Sequence, residues 1–327
     1  MKRFGWCALV GGLMGAVCGA QSNALSGAAS RTVFDAPTKS LRKLVGAPGS
    51  WWLGAVEVTG VDFAAVSPDG TRAVIRRGGD AQSPGRWEMV RNGDGEARPE
   101  ALADSEALGG RALWSRDSQR LWLWSPETRR VEEWMGWPGA LRRTAVSPEA
   151  PGALTALAAD RTGDRLVVLI SGADGRVHHR GRSRRVWRRL LELRDAAGAD
   201  YAAGRFFTFD RGGARIWAAS WEGGTESWSA AGIEDPIALA AVDAGDLETV
   251  LHVASGRDRV LAQWSVARGE WTARWELPVQ PTALDGFEGS LRWLRPREAA
   301  GEPAWCFGAT PEWKVMFVPA PREEENR

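Results

Sequence analysis

The sequence predicts an all-β fold in which a short antiparallel sheet repeats around a ring, and three observations predict it. The first is a turn that recurs before a short apolar strand, clearest at Ser67-Pro68-Asp69-Gly70 ahead of residues 71–76. Looser versions are Ser115-Arg116-Asp117-Ser118, residues 160–164, Asp210-Arg211-Gly212-Gly213, residues 243–246 and residues 285–289. The second is spacing. The strands behind these turns begin near residues 71, 120, 165, 215, 248 and 291. Most intervals are therefore about 45 residues and one is nearer 33, the period of a four-stranded unit repeated radially. The third is residue choice: the runs are rich in Val, Trp, Phe and Leu and bounded by Gly, Asp and Pro, as strands are. The expected fold is a single β-propeller of six or seven four-stranded blades.

Length and composition fit one large repeat domain. The chain has 327 residues, 44% apolar and 25% charged. Its 42 basic residues against 41 acidic ones give a formal charge of +1, so no polyanionic partner is expected across the whole surface. Only Lys2, Lys39, Lys43 and Lys314 are lysines. With so much Ala and Gly, the arginine excess reads as a GC-rich coding sequence rather than arginine-specific chemistry.

The N-terminus has the outline of a secretion signal. Met1-Lys2-Arg3 is positive, and Trp6 to Ala20 is uncharged and ends in small residues. The segment is short for a membrane span. Residues 1–20 are read as a signal peptide cleaved after Ala20, which places the mature protein in the periplasm or outside the cell. A lipid anchor at Cys18 is the minor alternative, although Gly15-Ala16-Val17 fits a lipobox poorly. Cleavage after Ala20 leaves Cys306 alone, so the mature chain has no internal disulfide and relies on its core. Cys306 lies in Ala304-Trp305-Cys306-Phe307 and is expected to be a buried thiol.

Residues 21–50 form a leader with strands at Val33-Phe34 and Leu41–Val45, and Val33–Leu44 is the candidate closing strand for the last blade. The propeller is expected over residues 51–320. Unit one carries strands near 61–66, 71–76 and 86–91. Unit two carries 111–114, 120–125 and 130–134. Unit three carries 154–159, 166–170 and an arginine-laden strand near 184–193. Unit four carries 205–209, 216–219 and 226–228. Unit five carries 238–242, 248–253, 260–266 and 271–277. Unit six carries 291–294, 304–307 and 313–318. Residues 100–108 and 186–193 admit helix as a minority reading. The six recurrent turns, at 69–70, 117–118, 162–163, 212–213, 244–245 and 288–289, are expected at one end of the torus. Residues 321–327 are a charged tail.

Tryptophan is the other organising signal, with 19 in the chain. Large apolar bodies fill the wedges between blades. Trp122 and Trp124 share one face of a strand and are expected to fill such a wedge. Trp51 and Trp52 point oppositely, so at least one is expected in solvent. The Ser-Pro-Asp-Gly turn at residues 67–70 resembles that of bacterial propellers of the TolB-like, YVTN-like and WD-repeat kind. The resemblance is one of repeat type over roughly residues 51–320, and the strict Gly-His and Trp-Asp marks of WD-repeat blades are absent.

Catalytic motifs do not rise above background. The histidines are His178, His179 and His252, which with one mature cysteine offer no spaced zinc set. The Asp-rich turns lack EF-hand spacing, and their aspartates are expected to bond the turn backbone. No metal and no cofactor is expected. Gly-x-Ser-x-Gly and phosphate-binding glycine loops do not occur. The local anomaly is residues 176–194, with eight arginines and Glu192 as the single acid. Unit three has the widest interval to its successor, so this segment is expected to project as a basic hairpin or extended strand pair. Arg176, Arg180, Arg182, Arg184, Arg185, Arg188 and Arg189 are the candidate binding residues, for an acidic protein, glycan or membrane surface. A partner of nucleic acid is not expected. The expected function is an exported, non-catalytic binding or scaffold module of the bacterial cell envelope. The alternative is a propeller hydrolase or lyase acting on a glycan or peptide, with channel carboxylates drawn from Glu57, Asp62, Glu222 and Glu226.

Overall fold

The computed structural model describes residues 31–46, 50–78, 85–91, 98–102, 105, 110–136, 141–171, 176–181, 187–193, 195–242, 248–286, 291–296, 304–308 and 315–319. No helix occurs among them. The signal peptide, the tail and Arg182, Arg184 and Arg185 lie outside the described residues.

The chain folds into seven antiparallel sheets, six of four strands and one of three. The first holds β1 (Arg31–Asp35), β2 (Ser40–Val45) and β3 (Trp52–Val58). The second holds β4 (Val61–Val66), β5 (Arg72–Arg77), β6 (Arg86–Arg91) and β7 (Pro99–Ala101). The third holds β8 (Arg111–Trp114), β9 (Arg120–Ser125), β10 (Arg130–Met135) and β11 (Arg142–Val146). The fourth holds β12 (Ala153–Ala159), β13 (Arg165–Ser171), β14 (Arg176–Gly181) and β15 (Arg188–Glu192). The fifth holds β16 (Ala196–Ala202), β17 (Arg205–Asp210), β18 (Arg215–Ser220) and β19 (Thr225–Ser229). The sixth holds β20 (Pro236–Val242), β21 (Val250–Ser255), β22 (Val260–Ser265) and β23 (Glu270–Glu276). The seventh holds β24 (Pro281–Gly286), β25 (Leu291–Pro296), β26 (Ala304–Gly308) and β27 (Val315–Val318). Within each sheet, strands pair in chain order. First strands lie against first strands of neighbouring sheets, as β16 does with β12 and β20, so they form the inner wall.

The core is divided among the gaps between neighbouring sheets. Phe34, Leu41 and Val58 of the first sheet meet Val61, Ala73 and Ile75 of the second. Trp87 and Val74 meet Leu121, Leu123 and Trp134 of the third. Trp122 and Trp124 meet Leu166 and Val168 of the fourth, the wedge filling expected of that pair. Val167 and Leu169 meet Phe206 and Trp221 of the fifth. Phe207 and Phe209 meet Leu251, Val253 and Trp264 of the sixth. Ala254 and Leu261 meet Leu294 of the seventh. Cys306 and Val318 then return to Val33, Leu44, Trp51 and Leu53 of the first. Every sheet has two packed faces, and the ring is closed.

Closure differs from the expected strand exchange. Val33–Leu44 pairs with itself as the β1–β2 hairpin and with β3, while β27 pairs with β26 inside the last sheet. The N-terminal segment is therefore a sheet of its own, joined to the last sheet by side-chain packing. Its apolar residues occur on enough strands to bury a face, so no partner strand is needed. Cys306 is fully buried there, and burial drives its thiol far above the usual range. Trp51 is buried while Trp52 is 46% exposed. Of the two helical readings, residues 100–101 are strand in β7 and 188–192 are strand in β15, while 103–104, 106–108 and 186 lie outside the described residues.

Unit four was expected over about 200–232 with Arg205–Phe209 as its first strand, but its sheet begins with β16, and Arg205 opens the second strand. From the second sheet to the seventh the second strands begin at 72, 120, 165, 205, 250 and 291, and the short interval between units four and five disappears. The turn at Gly212-Gly213 joins the second and third strands of its sheet, so it lies at the opposite end from the turns at 69–70, 117–118 and 162–163. Backbone conformation separates the two kinds within the second to sixth sheets. In the first-to-second turns of the second, third and fourth sheets the left-handed residue is fourth of six: Gly70, Ser118 and Gly163. In the second-to-third turns it is fifth of six: Arg129, Ala214 and Arg259. The first-to-second turn of the fifth sheet is Ala203-Gly204, both at positive φ, as a tight two-residue hairpin requires. The turns at 244–245 and 288–289 lie outside the described residues.

Trp122→Ala is expected to cost about 3–5 kcal/mol in chemical unfolding, the range for an emptied aromatic site. Trp52→Ala, at an exposed position, is expected to stay within about 0.5 kcal/mol. Equal losses would contradict this division between wedge and rim.

Candidate functional site

The end of the ring carrying the first-to-second turns, here the upper end, is tied together by arginines. Three six-residue turns share one hydrogen-bond plan. The amide of the first residue donates to the carbonyl of the sixth, at 2.8 Å in Ser67–Arg72, 2.9 Å in Ser115–Arg120 and 3.0 Å in Asp160–Arg165. Aspartate closes each loop from within, as expected. Asp69 Oδ1 accepts from the Thr71 amide at 3.0 Å, Asp117 Oδ1 from the Gln119 amide at 3.0 Å, and Asp160 Oδ1 from the Arg165 amide at 3.1 Å.

The sixth residue is an arginine each time, and it reaches the next sheet. Arg72 Nη2 donates to the Ser118 carbonyl at 2.9 Å, and its guanidinium lies 5.2 Å from the Trp114 ring centroid. Arg120 Nη1 donates to the Gly163 carbonyl at 2.7 Å, and its Nη2 pairs with Asp164 at 2.9 Å. Arg165 stacks on Trp221 at 5.3 Å. A β-carbon on Gly163 would sit 2.5 Å from Trp122 Cη2, so glycine is required where turn and wedge meet. These contacts correct the reading of the arginines as compositional. A buried planar fork that bonds a carbonyl while stacking on an indole is a task lysine performs poorly.

Across the channel mouth runs a longer tie. Arg116, in the third sheet's upper turn, donates through Nη2 to Asp200 Oδ1 at 3.0 Å and to the Ala241 carbonyl at 3.1 Å. Asp200 also accepts from the Tyr201 amide and, through Oδ2, from the Ala241 amide, each at 2.8 Å. This strut links the third sheet to the fifth and sixth, passing over the fourth. Nothing in the spacing of residues 116, 200 and 241 announces it.

Beside the mouth, between the fifth and sixth sheets, is a cleft of about 370 Å³ lined by Ala203, Arg205, Phe207, Glu226, Thr249 and Val266, among others. Arg205 Nη1 pairs with Glu226 Oε2 at 2.8 Å, within its own sheet. Glu248 Oε1, at the rim, accepts from the Ala267 amide at 2.9 Å.

Each carboxylate considered for catalysis is engaged by a cation, at 2.8–3.9 Å. Glu57, on β3, accepts from Thr32 and pairs with Lys43 at 2.9 Å. Asp62, on β4, pairs with Lys39 at 3.2 Å. Glu222, after β18, lies 3.9 Å from Arg165, and Glu226 is held by Arg205. Among the described residues no group of three His, Cys, Asp or Glu could hold a metal ion.

The described part of the basic segment is an antiparallel strand pair, and residues 182–186 between its strands lie outside the described residues. Arg176 pairs in register with Glu192, His178 with Arg189 and His179 with Arg188, around a bulge after Val177. β14 and β15 are the third and fourth strands of their sheet. Leu191 and Leu193 are buried in the core between the fourth and fifth sheets. Arg189 is exposed and pairs with Glu192.

Two outcomes test the turn chemistry. Arg72→Lys is expected to lower stability by about 2 kcal/mol, because a buried carbonyl loses its fork and an indole its cation. The second concerns Asp69. Burial pushes its carboxyl up, but bonds from the Ser67 hydroxyl, the Thr71 amide and hydroxyl, and the Arg72 charge outweigh that and hold it below its ordinary value. A depressed carboxylate contributes stability above its unfolded pKa of about 3.9, lost as pH falls through the folded value. Tm should therefore fall more steeply below about pH 4 in the native chain than in Asp69→Asn. Parallel profiles would remove Asp69 from the account.

No family model matches this chain, and no curated protein sequence matches it. Solved structures do. A chain in the crystal structure of a nidogen/laminin complex superposes with a TM-score of 0.52 at 10% identity, covering 74% of this chain and 91% of that one. A functionally unknown protein from Desulfotomaculum acetoxidans DSM 771 superposes at 0.52 with 9% identity, covering 78% of each. At such identities the likeness concerns the fold alone: an all-β propeller.

Proposed function

We propose that this chain is an exported, non-catalytic propeller that binds an acidic partner at the cell envelope. The partner is a protein, a glycan or an anionic membrane surface, and it docks on the outer strands of the fourth sheet. One observation carries the reading: β14 and β15 place Arg176, Arg180, Arg188 and Arg189 on the two strands farthest from the channel. A rigid ring suits this role, because packed blades hold a docking edge fixed while the ring itself is unaffected. Clustered cations there attract an acidic partner over a Debye length of about 8 Å at physiological ionic strength. The signal-like residues 1–20 support export, with free periplasmic or secreted chain favoured over an anchor at Cys18.

Arg184, Arg185, Arg188 and Arg189 changed together to Ser should elute from the envelope fraction at lower salt than the native chain, with Tm nearly unchanged. Identical retention across the salt series would end the docking claim. A large drop in Tm would show that these arginines brace the sheet instead.

A further inference from the structure

At the upper end an arginine meets an indole across the gap between the fourth and fifth sheets, and the next gap lacks that contact. Arg165 opens the second strand of the fourth sheet and stacks on Trp221, the first residue after the third strand of the fifth. Arg205 opens the second strand of the fifth sheet, and the corresponding residue of the sixth is Val266, the first after β22. Val266 is too small to meet the guanidinium, and Arg205 pairs with Glu226 on its own sheet. The cleft of about 370 Å³ opens between these residues, where the neighbouring gap holds an indole.

We propose that this cleft receives a tryptophan side chain from a partner polypeptide, which completes the contact that Trp221 makes from within. The chemistry matches on three sides. The Arg205 guanidinium offers a cation to the ring face. Ala203 and Val266 offer apolar wall, and the cleft size falls within the usual range for bound side chains and small ligands, roughly 300–1,000 Å³. Thr249 and Glu248 at the rim supply acceptors for the indole N–H, the part played by the Tyr201 hydroxyl for Trp221 at 3.1 Å. An indole is thus favoured over an aliphatic group, which would leave the cation and the acceptors unused. This surface is separate from β14–β15 and stands without the envelope reading.

The probe is N-acetyltryptophanamide, titrated into the full chain and followed by saturation-transfer NMR, with N-acetylalaninamide as control. Saturable binding of the tryptophan amide alone is expected. Val266→Trp fills the cleft from inside and should abolish binding while leaving Tm equal or higher. Arg205→Gln removes the cation and should weaken binding roughly three- to tenfold. The Arg188/Arg189 serine variant should bind the probe normally, which separates this site from the outer strands. The proposal is overturned if the native chain shows no saturable binding or if Val266→Trp binds as the native chain does. Should that variant not fold, unchanged affinity in Arg205→Gln overturns it equally.

Discussion

Everything in this molecule depends on apolar packing between neighbouring sheets. A single four-stranded sheet has two apolar faces and nothing of its own to cover them. Each is covered by the next sheet, around a circuit that must close. The closing contact is small: Cys306 and Val318 against Val33, Leu44, Trp51 and Leu53. No strand crosses that seam among the described residues, so its strength is that of side-chain burial, about 25 cal/mol per Å² of apolar surface removed from water.

Polar contacts reinforce that packing at one end of the ring. Arginines at residues 72, 120 and 165 each reach forward to the following sheet. Each is anchored by its own turn, whose aspartate satisfies the loop amides. The strut from Arg116 to Asp200 and Ala241 then braces the mouth across the fourth sheet. The same end holds the cleft at Arg205, where the forward contact is not made. Arg165 meets Trp221 across its gap while Arg205 pairs within its own sheet, so the residue facing a second-strand arginine decides whether the forward contact forms.

The sequence by itself determined the class of the fold, most strand positions and the roles of the wedge tryptophans. These follow from short-range rules. Strand period and turn chemistry act over a few residues, and Trp122 and Trp124 face one side because they are two apart. The distinction between turns is not legible in the sequence: in Ser67–Arg72 the left-handed residue is the fourth, Gly70, whereas in Asp210–Arg215 it is the fifth, Ala214, although the fourth is again a glycine.

Only the tertiary structure decided how the ring closes and what the arginines do. Val33–Leu44 has the composition of a closing strand, and nothing local says whether β27 or β3 is its neighbour. Arg72 and Arg205 both open a second strand, yet one meets Trp114 and Ser118 while the other finds Val266 and turns back to Glu226. The partners of Arg72 lie on another sheet, tens of residues away, while that of Arg205 lies on its own sheet, and both are set by packing register rather than by spacing. A guanidinium acts on whatever the fold brings within about 3 Å for a hydrogen bond or about 6 Å for a ring, and that neighbourhood is written only in three dimensions.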